Sequence, residues 1–191
     1  ITADVSGVRL PEVKRIARGP IVPVRTRLLK VDAPPATVAT TVRQGLAIVP
    51  AAAKRDALRR LIEREDVQSA IIFCNRKRDV AVLHKSLAKH GFNAGALHGD
   101  MEQRARMETL DKFRSGDIML LAASDVAARG LDIPDVSHVF NFDLPWDSDD
   151  YVHRIGRTGR AGKEGYAASL VAGDDLKSLK DIEKMLGEPV V

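Results

Sequence analysis

From about residue 40 onward, short wholly apolar runs alternate with longer stretches whose apolar residues recur at helical spacing. No other feature of the chain narrows its fold as much. The run Ala70-Ile71-Ile72-Phe73-Cys74 has no polar face, as a strand buried on both sides requires. Leu58, Leu61 and Ile62 form a stripe in a helix predicted over 54–65. Val80, Leu83 and Leu87 form a second stripe, with Asn75 placed to cap that helix and Gly91 to end it. Further strands are predicted at 42–49, 93–97, 118–122, 136–141 and 167–171, and further helices at 102–113 and 176–186. Such alternation implies an α/β fold of three layers, a mostly parallel sheet with helices on both faces. Ligands of such sheets meet the loops at the carboxyl ends of strands, which directs attention to the loops after residues 74, 97, 122, 141 and 155.

Residues 1–37 belong to a different regime. They hold five of the nine prolines and read as a short helix over 11–18, then an extended stretch over 24–31. The expected division is therefore 1–37 as a segment outside the domain proper, 38–187 as one α/β domain, and 188–191 as the start of a tail.

Composition excludes several functions. A single cysteine, Cys74, rules out an internal disulfide and fits a reducing, cytoplasmic setting. The five histidines show no ligand pairing, so no metal site is expected. No window approaches the ~18 apolar residues of a membrane span, and no signal-peptide layout opens the chain. It also begins without Met, which suggests a piece of a longer protein. Aromatic residues make up 4% of the chain, too few for broad base-stacking surfaces. The net charge of +4 is uneven: residues 1–60 carry 12 basic and 4 acidic side chains, whereas 61–191 carry 18 and 22. A polyanion would have to be held by a few aimed cations.

Three loops carry residue types that suit such a task. After Leu97 comes His98-Gly99-Asp100-Met101, then Gln103 and Arg106 on one face of a helix's first turn. That end suits a phosphate, and it is equally an ordinary helix start with solvated charges. The segment from Ser124 to Asp132 holds Asp125, Arg129 and Gly130 among small residues without amphipathic period, and reads as a turn or a site. The richest segment is Asp150 to Gly162, with Arg154, Arg157 and Arg160 interleaved with glycines. Arginine supplies planar donors for phosphate oxygens, and two of them spaced by Thr-Gly can address one polyphosphate. A flexible basic loop without chemistry is the plainer reading. Gly162-Lys163-Glu164 is not a P-loop, since the spacing glycine and the Ser/Thr are absent.

Together these loops resemble the second RecA-like domain of DEAD-box RNA helicases of superfamily 2, over about residues 35–185. Ile71-Ile72-Phe73-Cys74-Asn75 is similar to motif IV, Gln103 and Arg106 to the Gln-x-x-Arg motif, and Ser124 to Asp132 to motif V. Asn141-Phe142-Asp143-Leu144-Pro145 resembles motif Va, and His153-Arg154-Ile155-Gly156-Arg157-Thr158-Gly159-Arg160 resembles motif VI. Related DEAH-type helicases usually open that last motif with Gln rather than His.

The resemblance implies a RecA-like fold and assigns roles. Arg157 and Arg160 would be arginine fingers at the ATP γ-phosphate, and Asp132 would contact the ribose. Asn75, Arg76, Gly99, Gln103, Arg106, Ser124 and Gly130 would line an RNA path read through its backbone. Asp125, Arg129, His153 and Arg154 would couple this domain to an N-terminal RecA-like domain, which would bind most of the ATP and Mg2+. Ser124 stands where many members have Thr, and Arg76 where Thr is frequent. A stand-alone RNA- or protein-binding module of the same fold, and half of a DNA helicase, are the alternatives.

Overall fold

The computed structural model describes residues 25–31, 40–160, 162–187 and 189–190. The helix expected over 11–18 lies outside them. Strands are β1 (Arg25–Val31), β2 (Thr40–Ile48), β3 (Ala70–Phe73), β4 (Ala94–Leu97), β5 (Leu120–Ala123), β6 (His138–Asn141) and β7 (Glu164–Val171). Helices are α1 (Lys54–Arg64), α2 (Lys77–Lys89), α3 (Gln103–Ser115), α4 (Asp125–Ala128), α5 (Ser148–Ile155) and α6 (Leu176–Leu186).

The strands form one sheet in the order β1-β2-β7-β6-β3-β5-β4, parallel throughout except for β1, which runs antiparallel along β2. The backbone of β1 falls in the segment expected to lie outside the domain, yet it pairs with β2 from Arg25↔Leu46 to Val31↔Thr40.

Alternate strand residues feed opposite cores, because successive side chains leave a strand on opposite faces. Ile71, Phe73, Leu121 and Val139 enter one core, with Leu110 and Phe113 of α3, Tyr151 and Ile155 of α5, and Leu179 and Ile182 of α6. Ala70, Ile72, Cys74, Leu120 and Phe140 enter the other, with Leu58 of α1 and Val80, Leu83 and Leu87 of α2. Connections toward β4 carry α1 and α2 on one face. Those returning toward β7 carry α3, α4 and α5 on the other, the distribution that a single crossover hand demands. Val190, expected in the tail, packs into the first core, and its N–H bonds the Glu183 carboxylate at 3.2 Å. No helix among the described residues is long and apolar enough to cross a membrane.

Two helices depart from the sequence expectation. The segment from Asp150 to Gly162 reads as a loop by its glycines, but its first six residues belong to α5. Asp147 caps α5 by accepting the Asp149 N–H at 3.0 Å. Asp149 and Asp150 sit in the first turn and His153 and Arg154 in the last, as the helix dipole favours. Four-residue α4 was also unexpected; Ser124 caps it, accepting the Ala127 N–H at 3.4 Å.

Candidate functional site

Arg154 organises the carboxyl ends of the central strands. It is 1% exposed, and its donors make five hydrogen bonds. Nε and Nη2 hold both oxygens of Asp125 at 2.7 and 2.5 Å. Nη1 reaches Asn141 Oδ1 at 3.3 Å and the Asp143 carbonyl at 2.6 Å, and Nη2 also reaches Asn75 Oδ1 at 2.9 Å. The guanidinium lies over the Phe73 ring at 5.1 Å. A buried cation is tolerable only when paired and fully hydrogen-bonded, and Arg154 meets that condition with residues following β3, β5 and β6.

Asn75 is therefore not a helix cap. The α2 N-cap position is Arg76, without a side-chain bond. The Asn75 amide instead donates to the Leu144 carbonyl at 2.8 Å, and its backbone N–H to Asp143 Oδ2 at 3.2 Å. Asp143 continues the network to Lys54 at 3.4 Å, and Lys54 reaches Asp175 at 2.7 Å and the Phe142 carbonyl at 3.0 Å. Burial raises the Cys74 thiol well above its ordinary pKa, with Asp143 and Asp79 adding to the effect, so this cysteine is an inert core residue.

Beyond β4 and β5 lie the other backbone-reading candidates. Gln103 is exposed at the start of α3 and accepts from Arg106 at 3.3 Å. Arg106 also ties α3 to α4 through the Ala127 carbonyl at 3.1 Å. The buried Ser124 hydroxyl is engaged as a cap. Gly99 and Gly130 face open space; Gly130 has φ +74, which disfavours any side chain there. Arg76 is exposed. Arg129 pairs with Asp150 at 3.1 Å, and His153 is exposed on α5.

Arg157 and Arg160 lie elsewhere. The sequence reading placed Arg106 in a helix's first turn and Arg129, Arg154, Arg157 and Arg160 on loops. The structure puts Arg106 on α3, Arg154 on α5 and Arg129 just past α4, while Arg157 and Arg160 follow α5 at the amino ends of β6 and β7. Thr158 forms a parallel bridge with Val136, its buried hydroxyl donates to the Val136 and Ser137 carbonyls, and the Val136 N–H donates to the Arg157 carbonyl at 3.0 Å. A Cβ on Gly165 of β7 would lie 2.5 Å from the Gly159 nitrogen, so that glycine makes the seat on which the arginine loop rests. Half-buried Arg157 makes no guanidinium hydrogen bond among the described residues; burial, then the neighbouring Arg160 charge, lowers its pKa. Arg160 is exposed, with Nε on the Gly156 carbonyl at 2.7 Å.

Asp132 lies four residues before Val136, the residue that Thr158 bridges. Arg114, in the last turn of α3, holds its backbone carbonyl at 2.6 and 3.2 Å, while its side chain is 99% exposed and 3.7 Å from Arg114. Thus α3 is tied to α4 near its start and to the Asp132 backbone at its end.

Sequence reasoning missed Lys54, Asp143, Asn141 and Asp175 as positioning groups. Lys54 meets Asp143 and Asp175 across 89 and 121 positions of chain, and Asn141 meets Arg154 and Ser169 across 13 and 28, and only the Asn141–Asp143 segment stood out as a motif. The signal for α5 was present: an Asp cap, two acids in the first turn, and Tyr151 and Ile155 four apart on the buried face.

Comparison with known proteins fits this geometry. Residues 53–162 match the family described as helicase conserved C-terminal domain. The ATP-dependent RNA helicase SrmB of Haemophilus influenzae is 49% identical over 131 residues, which are 69% of this chain and 30% of that protein. RhlB of Shigella flexneri is 48% identical over 138 residues, 72% of this chain and 33% of that protein. The chain thus spans about a third of the length of these relatives. Among solved structures, Escherichia coli SrmB bound to the regulator of ribonuclease activity A superposes with a TM-score of 0.71 at 40% identity, covering 75% of this chain and 85% of that one. The C-terminal domain of Dbp5 superposes at 0.67 and 38% identity, covering 73% and 83%. The chain belongs to the helicase conserved C-terminal domain family, in its DEAD-box branch, and has the RecA-like fold of those domains.

Proposed function

We propose that this chain is the C-terminal half of a cytoplasmic, ATP-dependent RNA helicase that opens short duplexes. An N-terminal RecA-like domain would supply most of the ATP and Mg2+ contacts. In this reading Arg157 and Arg160 stabilise charge on the transferring phosphoryl group, and Asp132 contacts the nucleotide's ribose. Asn75, Arg76, Gly99, Gln103, Arg106, Ser124 and Gly130 line the RNA path. Asp125, Arg129, His153 and Arg154 form the coupling layer between the two.

The observation that carries this reading is a difference among three arginines of one motif. Arg154 has every donor engaged inside the domain, whereas Arg157 and Arg160 leave their terminal nitrogens without protein acceptors among the described residues. A domain that needed these cations only for folding would pair them. Left open on a tied-down loop, they suit a ligand held mainly by another domain. In the full-length protein, Arg157→Ala or Arg160→Ala should lower kcat for RNA-stimulated ATP hydrolysis by about 10³-fold or more. A loss below tenfold rejects the arginine-finger role.

A further inference from the structure

Trp146 is the one tryptophan of the chain, and 71% of it is exposed. Its tether is fixed at both ends. Two residues before it, Leu144 is buried in the core and accepts the Asn75 amide at 2.8 Å; directly after it, Asp147 caps α5. The indole stands at the rim of an open cavity of about 430 Å3, whose wall includes Asn75, Arg76, Arg55, Val82 and Phe142. Val82 is exposed as well. Four carboxylates also line this cavity. Asp143 and Asp175 are paired with Lys54, and Asp79 lies 3.5 Å from Arg78, so Asp174 alone lacks a cationic partner among the described residues.

We propose that Trp146 is a stacking platform for one base of a single-stranded RNA whose backbone passes Asn75 and Arg76. This rests on the RNA path proposed above and deepens it. Asn75 and Arg76 belong to both surfaces, so a strand leaving them meets the indole next. An uncharged base tolerates the acid at Asp174, while the phosphates stay with Arg76. Stacking on an exposed aromatic face is the usual way a protein holds a splayed base, and it accepts any base. A domain otherwise poor in aromatics would thereby gain one contact beyond the sugar-phosphate chain without gaining sequence preference.

Because Trp146 is the sole tryptophan, its own fluorescence reports the event. Titrating the chain at low ionic strength with single-stranded oligoadenylate should quench that fluorescence to saturation. Trp146→Ala should weaken binding, followed by anisotropy of a labelled oligonucleotide, by fivefold or more, a range typical of a stacked base, and Trp146→Phe should recover most of it. An abasic ribose-phosphate oligomer should bind wild type and Trp146→Ala alike. Oligoadenylate binding that ignores both the indole and its replacement overturns the platform, leaves the RNA path standing, and leaves Trp146 for a protein partner. No binding of any oligonucleotide by wild type overturns the RNA path and the platform together.

Discussion

The guanidinium of Arg154 and those of Arg157 and Arg160 are chemically identical groups in opposite situations. Removing Arg154 would strand Asp125, buried Asn141 and Asn75 without their donor, and breaking a buried pair from one side costs about 3–5 kcal/mol. Arg154→Met should therefore lower unfolding stability by that order in a urea titration. Arg157→Ala, which removes no hydrogen bond within the domain, should stay within about 0.5 kcal/mol of wild type. Equal losses would contradict the distinction drawn between them. His138 supplies a pH-dependent counterpart. Burial lowers its pKa and Arg43 adds to this, while Glu65 and Asp66 pull the other way; the ring stacks on Phe140 and meets the Tyr166 edge. The unfolded chain thus binds a proton more readily than the folded one just below the ordinary value of 6.5. Stability from this group is complete above that value and is lost as pH falls. Urea midpoints compared at about pH 7.5 and 5.5 should drop less for His138→Asn than for wild type, and equal drops would assign the acid sensitivity to other groups.

At the scale of elements, the seat beneath the arginine loop deserves a direct test. A methyl group on Gly165 would collide with backbone atoms of Gly159 at 2.5 and 2.8 Å, and backbone yields less easily than a side-chain tip. Gly165→Ala should displace the loop while the sheet persists. A misplacement of order 1 Å costs about 10²-fold in catalysis, so kcat of the full-length enzyme should fall by that order with little change in the far-ultraviolet dichroism. Unchanged kcat would mean that the loop adapts. The expected strands and long helices agree with the observed ones to within a few residues, because burial writes itself locally as period. Ala70-Ile71-Ile72-Phe73 divides its side chains between two cores, and Leu83 and Leu87 lie one turn apart on one helix face. Asn75 was misread because its amide finds a carbonyl 69 positions away rather than the adjacent helix. The first turns of α5 escaped because the glycine-rich tail masked an acidic, well-capped start. The site was legible as motif strings but not as two separate groups, since nothing local reveals that Thr158 ties the arginine loop to the amino end of β6.

Considered whole, the domain carries two packed cores, one on each face of its sheet, with nothing resembling a P-loop in its sequence. The purified chain should fold cooperatively and show no ATP turnover above a protein-free control, with or without RNA; measurable hydrolysis would overturn the proposed division between two domains. Helix α3 is pinned at both ends, by Arg106 to the Ala127 carbonyl and by Arg114 to the Asp132 carbonyl. Thirteen helical residues make a strut of about 20 Å. Such a strut does not stretch. The Ala127 and Asp132 carbonyls are thereby held at a set separation along the helix axis. A displacement of the Asp132 backbone is therefore carried along α3 to the Gln103 end rather than absorbed between them.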